Sequence, residues 1–161
     1  MSSQFKFLSH LLSVSLFLFV FSPITFAETQ FSPIVGYWQT IDSKTKRPSS
    51  VIQFYARGKL FYGKVVKAYP LPDEQKSSLC VHCKGIQRDK PIIGLIIINN
   101  MTCQNDVCHG GTILDPRSGK VYHATMRLVH AGRQLKVRGY LGIALFGKTV
   151  VWNRVSKKEA Q

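Results

Sequence analysis

Acidic side chains are scarce in this chain: eight Asp and Glu stand against 22 Lys and Arg, leaving a formal charge of +14. That leaves little material for paired-carboxylate catalysis, and Asp42, Asp89 and Asp115 each sit beside turn residues, where capping the local backbone explains them. The chain also lacks the Gly-x-Ser-x-Gly elbow and the His-Glu-x-x-His helix. Its glycine-rich stretch from Gly139 through Gly142 to Gly147 and Lys148 falls between two expected strands and not before a helix, so it reads as backbone bending at a barrel corner and not as a phosphate loop. The reading is therefore of a protein that is not an enzyme and needs no cofactor. There is no long segment of helical period, no internal repeat and no low-complexity tract, which excludes a helical fold or a repeat array. Basic residues never form a run of five or six; the densest groups are Lys44, Lys46 and Arg47, then Lys84, Arg88 and Lys90, then Arg133, Lys136 and Arg138. Dispersed charge without interleaved aromatics argues against a nucleic-acid partner and leaves a weak attraction to anionic envelope surfaces.

Apolar runs long enough to span a bilayer are missing too. The longest, Leu11 to Phe21, is about half the roughly 20 residues a spanning helix needs. It follows Lys6, the one charge among residues 1–27, and precedes Pro23, Thr25 and Ala27, which is the layout of a secretory signal peptide. Cleavage near Ala27 leaves 134 of the 161 residues at a formal charge of +13. The expected product is a single domain over residues 28–161, periplasmic or secreted, without a transmembrane segment. Folding a chain of that size removes roughly two thirds of its surface from water, enough for a core without metal or disulfide. Glu28 to Pro33 and Ser156 to Gln161 read as peripheral tails.

What fills the mature chain is a series of short β-rich runs broken by Gly, Pro, Asp and Ser clusters. Strands are expected at Gly36 to Ile41, Ser50 to Tyr55, Leu60 to Tyr69, Ile92 to Ile98, Gly111 to Leu114, Lys120 to His130, Gln134 to Leu141 and Lys148 to Val155. Asp115-Pro-Arg-Ser-Gly119 has the chemistry of a tight turn, and Pro70 to Pro91 is a long irregular connection. Alternation assigns faces: Tyr122, Ala124, Met126 and Leu128 share one side of their strand, His123, Thr125 and Arg127 the other. About eight short strands must hide their edges, and an antiparallel up-and-down barrel does so economically. A two-sheet sandwich is the alternative, because periodicity does not report closure.

Four cysteines in an oxidising compartment favour disulfides, and three connectivities are open. Cys103 and Cys108 bracket a short polar loop that could close as a hairpin tie; Cys80 and Cys83 could form a small ring or cross to the other pair. The Cys80-Val-His-Cys83 spacing also admits thiol-disulfide exchange, and with His82 and His109 nearby the cysteines include the ligand types of zinc. No thioredoxin-like helix follows the motif, and thiolates compete poorly with disulfide formation where proteins are oxidised, so these are alternatives and no metal site is assigned.

Gly36-Tyr-Trp38 in the first strand and Arg154 in the last resemble the lipocalin or calycin pattern. That resemblance implies that Trp38 plugs one end of the barrel with Arg154 packed over its indole and Gly36 beside them. The wider set is more specific: Gly36-x-Trp38-x-Thr40-x-Asp42, Cys80-x-x-Cys83-Lys-Gly85, Asp89-Lys-Pro-Ile-Ile-Gly94, Gly111-x-Ile-Leu-Asp-Pro-x-x-Gly119-Lys-x-Tyr122, Leu135-Lys-Val-Arg-Gly139-Tyr, and Leu145-Phe-Gly147 before Trp152-x-Arg154. It resembles the family of small exported bacterial proteins numbered 2147 among domains of unknown function; the insert from Cys103 to Cys108 stands apart from that pattern. The family implies a lipocalin-like barrel and supplies no reaction or catalytic residue. The functional expectation is a small apolar or amphipathic ligand in the lumen, lined by Trp38, Phe54, Phe61, Tyr122, Met126 and Trp152 and oriented by Arg138 and Tyr140. The alternative is an envelope module docking to anionic lipid or a protein partner.

Overall fold

The computed structural model describes residues 32–69 and 78–161. The signal-peptide reading falls on residues 1–27, outside the described residues. Eight strands follow one another: β1 Gly36–Ile41, β2 Pro48–Arg57, β3 Leu60–Ala68, β4 Ile96–Gln104, β5 Val107–Asp115, β6 Lys120–Val129, β7 Gln134–Tyr140 and β8 Lys148–Val155. Each pairs antiparallel with the next, and β1 pairs with β8, so the sheet closes into an up-and-down barrel. Closure disposes of the sandwich alternative. Among the described residues no helix is long and apolar enough to cross a membrane.

Two strands depart from expectation. β4 starts four residues later than the apolar run at Ile92 and continues through Asn99 to Gln104, and β5 begins at Val107 instead of Gly111. Outward positions on a barrel wall are polar, so Asn99, Thr102 and Gln104 look like loop in the sequence while serving as strand. Cys103 and Cys108 face each other directly across this hairpin.

The inward faces carry the core. Trp38, Ile52, Phe54, Val65, Ile98, Met101, Met126, Leu135 and Val137 are all fully buried. Register explains why: Trp38 pairs with Ile52, Ile52 with Val65, Met126 with Val137 and Leu135 with Trp152, so each apolar side chain lies beside another on the same face. The other face of β6 holds exposed His123 and Arg127. The last residues are not a loose tail: Ser156 donates its N–H to Glu159 Oε2 at 2.7 Å, Lys67 Nζ reaches the Glu159 carbonyl at 3.2 Å, and Ala160 is buried.

Candidate functional site at the loop end

The seven connections between successive strands divide the barrel into two unlike ends. At one end the β2–β3, β4–β5 and β6–β7 turns gather around the start of β1 and the end of β8. Trp38 donates its indole N–H to the Ile34 carbonyl at 2.8 Å, and the Arg154 guanidinium lies 4.2 Å over the Trp38 ring. Arg154 also donates to the carbonyls of Gly132 at 2.7 Å, Val35 at 3.1 Å and Pro33. A Cβ on Gly36 would come within 2.9 Å of that guanidinium, so the residue opposite the arginine is the smallest available.

Above this plug the inward side chains of neighbouring strands are closely packed. A Cβ on Gly63 would lie 2.8 Å from Ile98 Cγ1 and 3.0 Å from Ile52 Cγ2, and one on Gly111 would collide with Met101. Real side chains do not approach so closely, so glycine stands where side chains of the adjacent strands already occupy the space. Trp38, Phe54, Met126 and Trp152 are core side chains packed against one another; the rings of Phe54 and Trp152 lie 6.3 Å apart. Phe61 is half-buried and packs against this core, while Tyr122 is half-buried on the inward face of β6 near its start.

Arg138 and Tyr140, expected to orient a ligand from inside, lie on the outer wall. On β7 the inward positions are Leu135 and Val137, and both residues in question have the opposite parity. Tyr140 stacks on His123 across the wall at 5.6 Å. Arg138 donates to the Ala144 and Leu145 carbonyls and to Thr149 Oγ1, each at 2.9 Å. Sequence alternation contains this answer; the pairing that sets its phase came only with the structure.

The opposite end is built from long connections. Asp42, at the end of β1, is buried and accepts from the Thr45 and Lys44 N–H groups at 2.7 and 3.0 Å and from Arg117 at 2.8 Å. The Thr45 N–H foremost, then the Arg117 guanidinium, hold its carboxyl well below the usual carboxylate range. This ion pair ties the β1–β2 loop to the β5–β6 turn, where Gly119 donates to the Asp115 carbonyl at 2.8 Å. The β3–β4 connection packs onto that turn: Gly119 has φ +66° and runs so close beneath the His82 carbonyl that no side chain fits.

The four cysteines form two disulfides, Cys80 to Cys83 and Cys103 to Cys108. Cys80 and Cys83 are buried, Cys80 lying 3.5 Å from the Pro116 carbonyl. In the bonded state neither pair offers the thiolates that zinc binds, and the burial of Cys80 and Cys83 gives an incoming thiol little access to that pair.

Between the β3–β4 connection and the outer wall lies an open groove of about 700 Å³. Leu114, Val121 and Leu141 give it apolar lining, and Lys84, Lys120 and Ser118 supply charge and hydrogen-bonding capacity. Nothing in the sequence marks it, because Lys84 and Leu141 come from different connections, brought together by the ring.

The comparisons agree with this architecture. A family model described as an uncharacterised protein conserved in bacteria, DUF2147, matches residues 36–154. Among solved structures the chain is similar to protein HP1028 of the human pathogen Helicobacter pylori, described as belonging to the lipocalin family. That match has a TM-score of 0.66 and 20% identity, and covers 80% of this chain and 87% of that one. No curated protein matches the chain. At that identity the likeness carries the fold, a lipocalin-like barrel.

Proposed function

This chain belongs to the bacterial family DUF2147, and from that premise we propose that it is an exported, non-enzymatic barrel that binds a small amphipathic anion in the groove at its loop end. The observation that carries the reading is the lining of that groove, two lysines beside apolar side chains, on a barrel whose large inward side chains are buried against one another. A carboxylate or phosphate head would pair with Lys84 and Lys120 while a short alkyl chain covers Leu114, Val121 and Leu141. Export is supported by the leader-like residues 1–27 and by the two disulfides, which persist in oxidising compartments. The catalytic templates missing from the sequence, together with a fold that holds ligands in other proteins, support the non-enzymatic reading.

Dodecanoate titrated by calorimetry into residues 28–161 tests this. Saturable binding that dodecanol does not reproduce, weakened at least tenfold in Lys84→Gln/Lys120→Gln, is the expected result. The chain's two tryptophans, Trp38 and Trp152, are both in the core, so their emission should not change during the titration. Equal binding of dodecanol, an unaffected double variant, or a large tryptophan response would overturn the groove as the site.

A further inference from the structure

The connection between β7 and β8 reads Leu141-Gly-Ile-Ala-Leu-Phe-Gly147, as apolar as a core strand, yet Leu145 is 76% and Phe146 80% exposed, with Ile143 at 60%. An ordinary surface loop does not hold so many large apolar groups in water. Nor is this loop slack. A short 3-10 turn, Ala144–Phe146, sits at its tip, Gly147 donates back to the Ala144 carbonyl at 3.1 Å, and Arg138 fastens the Ala144 and Leu145 carbonyls from below. The apolar side chains are held outward by a built scaffold.

What surrounds them is basic. Lys148, at the base of the loop, donates to Ser43 Oγ at 2.9 Å, which sets the β1–β2 connection with its exposed Lys44, Lys46 and Arg47 on one flank. On the other flank Leu141 shares the groove with Lys84 and Lys120. The acidic groups described at this end are already neighboured by arginine: Asp42 and Asp115 by Arg117, Asp89 by Arg88. The exposed tip therefore stands inside a collar of net positive charge.

We propose that this end of the barrel docks on an anionic phospholipid surface, with Leu145 and Phe146 entering the headgroup boundary and the collar lysines pairing with lipid phosphates. Protruding apolar tips ringed by long, separated cations match a deformable anionic sheet, which accepts side chains at any lateral position and attracts each lysine near it. A protein partner would need a preformed socket for the tip together with acids spaced to meet cations on two separate flanks. The collar shares Lys84 and Lys120 with the groove, but the Leu145–Phe146 tip and the Lys44, Lys46 and Arg47 flank lie outside its lining, so a ligand-free barrel docks in the same way.

The test is co-sedimentation of residues 28–161, which contain every described strand and the Trp38–Arg154 closure, with vesicles of phosphatidylcholine alone or with phosphatidylglycerol. Binding to the phosphatidylglycerol vesicles only, reduced at least tenfold by Leu145→Ser/Phe146→Ser and by Lys44→Glu/Lys46→Glu, is expected. Both pairs are exposed, and unchanged circular dichroism and melting establish that each variant is folded. Phe146→Trp should give blue-shifted emission on anionic vesicles only. Absence of binding, equal binding to neutral vesicles, or full binding by the Leu145→Ser/Phe146→Ser protein overturns the proposal. So does a concentration-dependent dimer that this variant abolishes without any vesicle binding, which would assign the tip to a second copy of the chain.

Discussion

Gly63 and Gly111 carry more information about the interior than any large side chain does. Each is buried where the neighbouring strand leaves no room for a methyl group, so Gly63→Ala and Gly111→Ala should each cost about 1–3 kcal/mol, the ordinary penalty of overpacking, read from urea midpoints. Neither position could be recognised in the sequence, because the atoms that forbid a Cβ belong to Ile52, Ile98 and Met101 on other strands. Asp42 makes a different prediction. Its folded-state carboxyl is depressed, so its stabilising contribution is present above the ordinary carboxylate value and is lost as pH falls through the depressed range. The melting-temperature gap between the wild-type chain and Asp42→Asn should be widest near neutral pH and should narrow below about pH 4.

Among the elements, the β4–β5 hairpin shows best what alternation can and cannot report. β6 was legible because its inward Ala124, Met126 and Leu128 contrast with outward His123 and Arg127. β4 was not, because Ile96, Ile97 and Ile98 run together and the polar residues after them mimic a loop. Asn100 and Asn105, both at positive φ, near 55° and 52°, bend the strand and turn the hairpin. The Cys103–Cys108 disulfide then joins directly opposed residues in this segment. It closes a short loop, so chain entropy assigns it about 2 kcal/mol. Cys103→Ser/Cys108→Ser should lose about that much stability in chemical denaturation while keeping its β-sheet circular dichroism spectrum. A larger loss accompanied by unfolding would mean that the hairpin does not form without its tie.

At the scale of the whole molecule, the number of strands and their antiparallel order were readable from turn spacing, whereas closure was not, since it depends on Tyr37, Trp38 and Gln39 meeting Val155, Arg154 and Asn153. The close packing of the inward side chains was hidden for the same reason: it is a property of the assembled ring. With Trp38 and Trp152 both buried, acrylamide should barely quench tryptophan emission in the native protein, with strong quenching appearing only on unfolding. Substantial native-state quenching would mean that the lumen admits small molecules.

The β1–β8 pairing also has a kinetic consequence. Other neighbouring strands are successive in the chain, but this seam joins the first strand to the last through three registered pairs, and Arg154 reaches the Val35 carbonyl across 119 residues of sequence. Closing so long a loop costs entropy before any contact rewards it. The ring should therefore zip up through its hairpins and weld last, with Arg154→Ala mainly speeding unfolding and leaving the folding rate nearly unchanged.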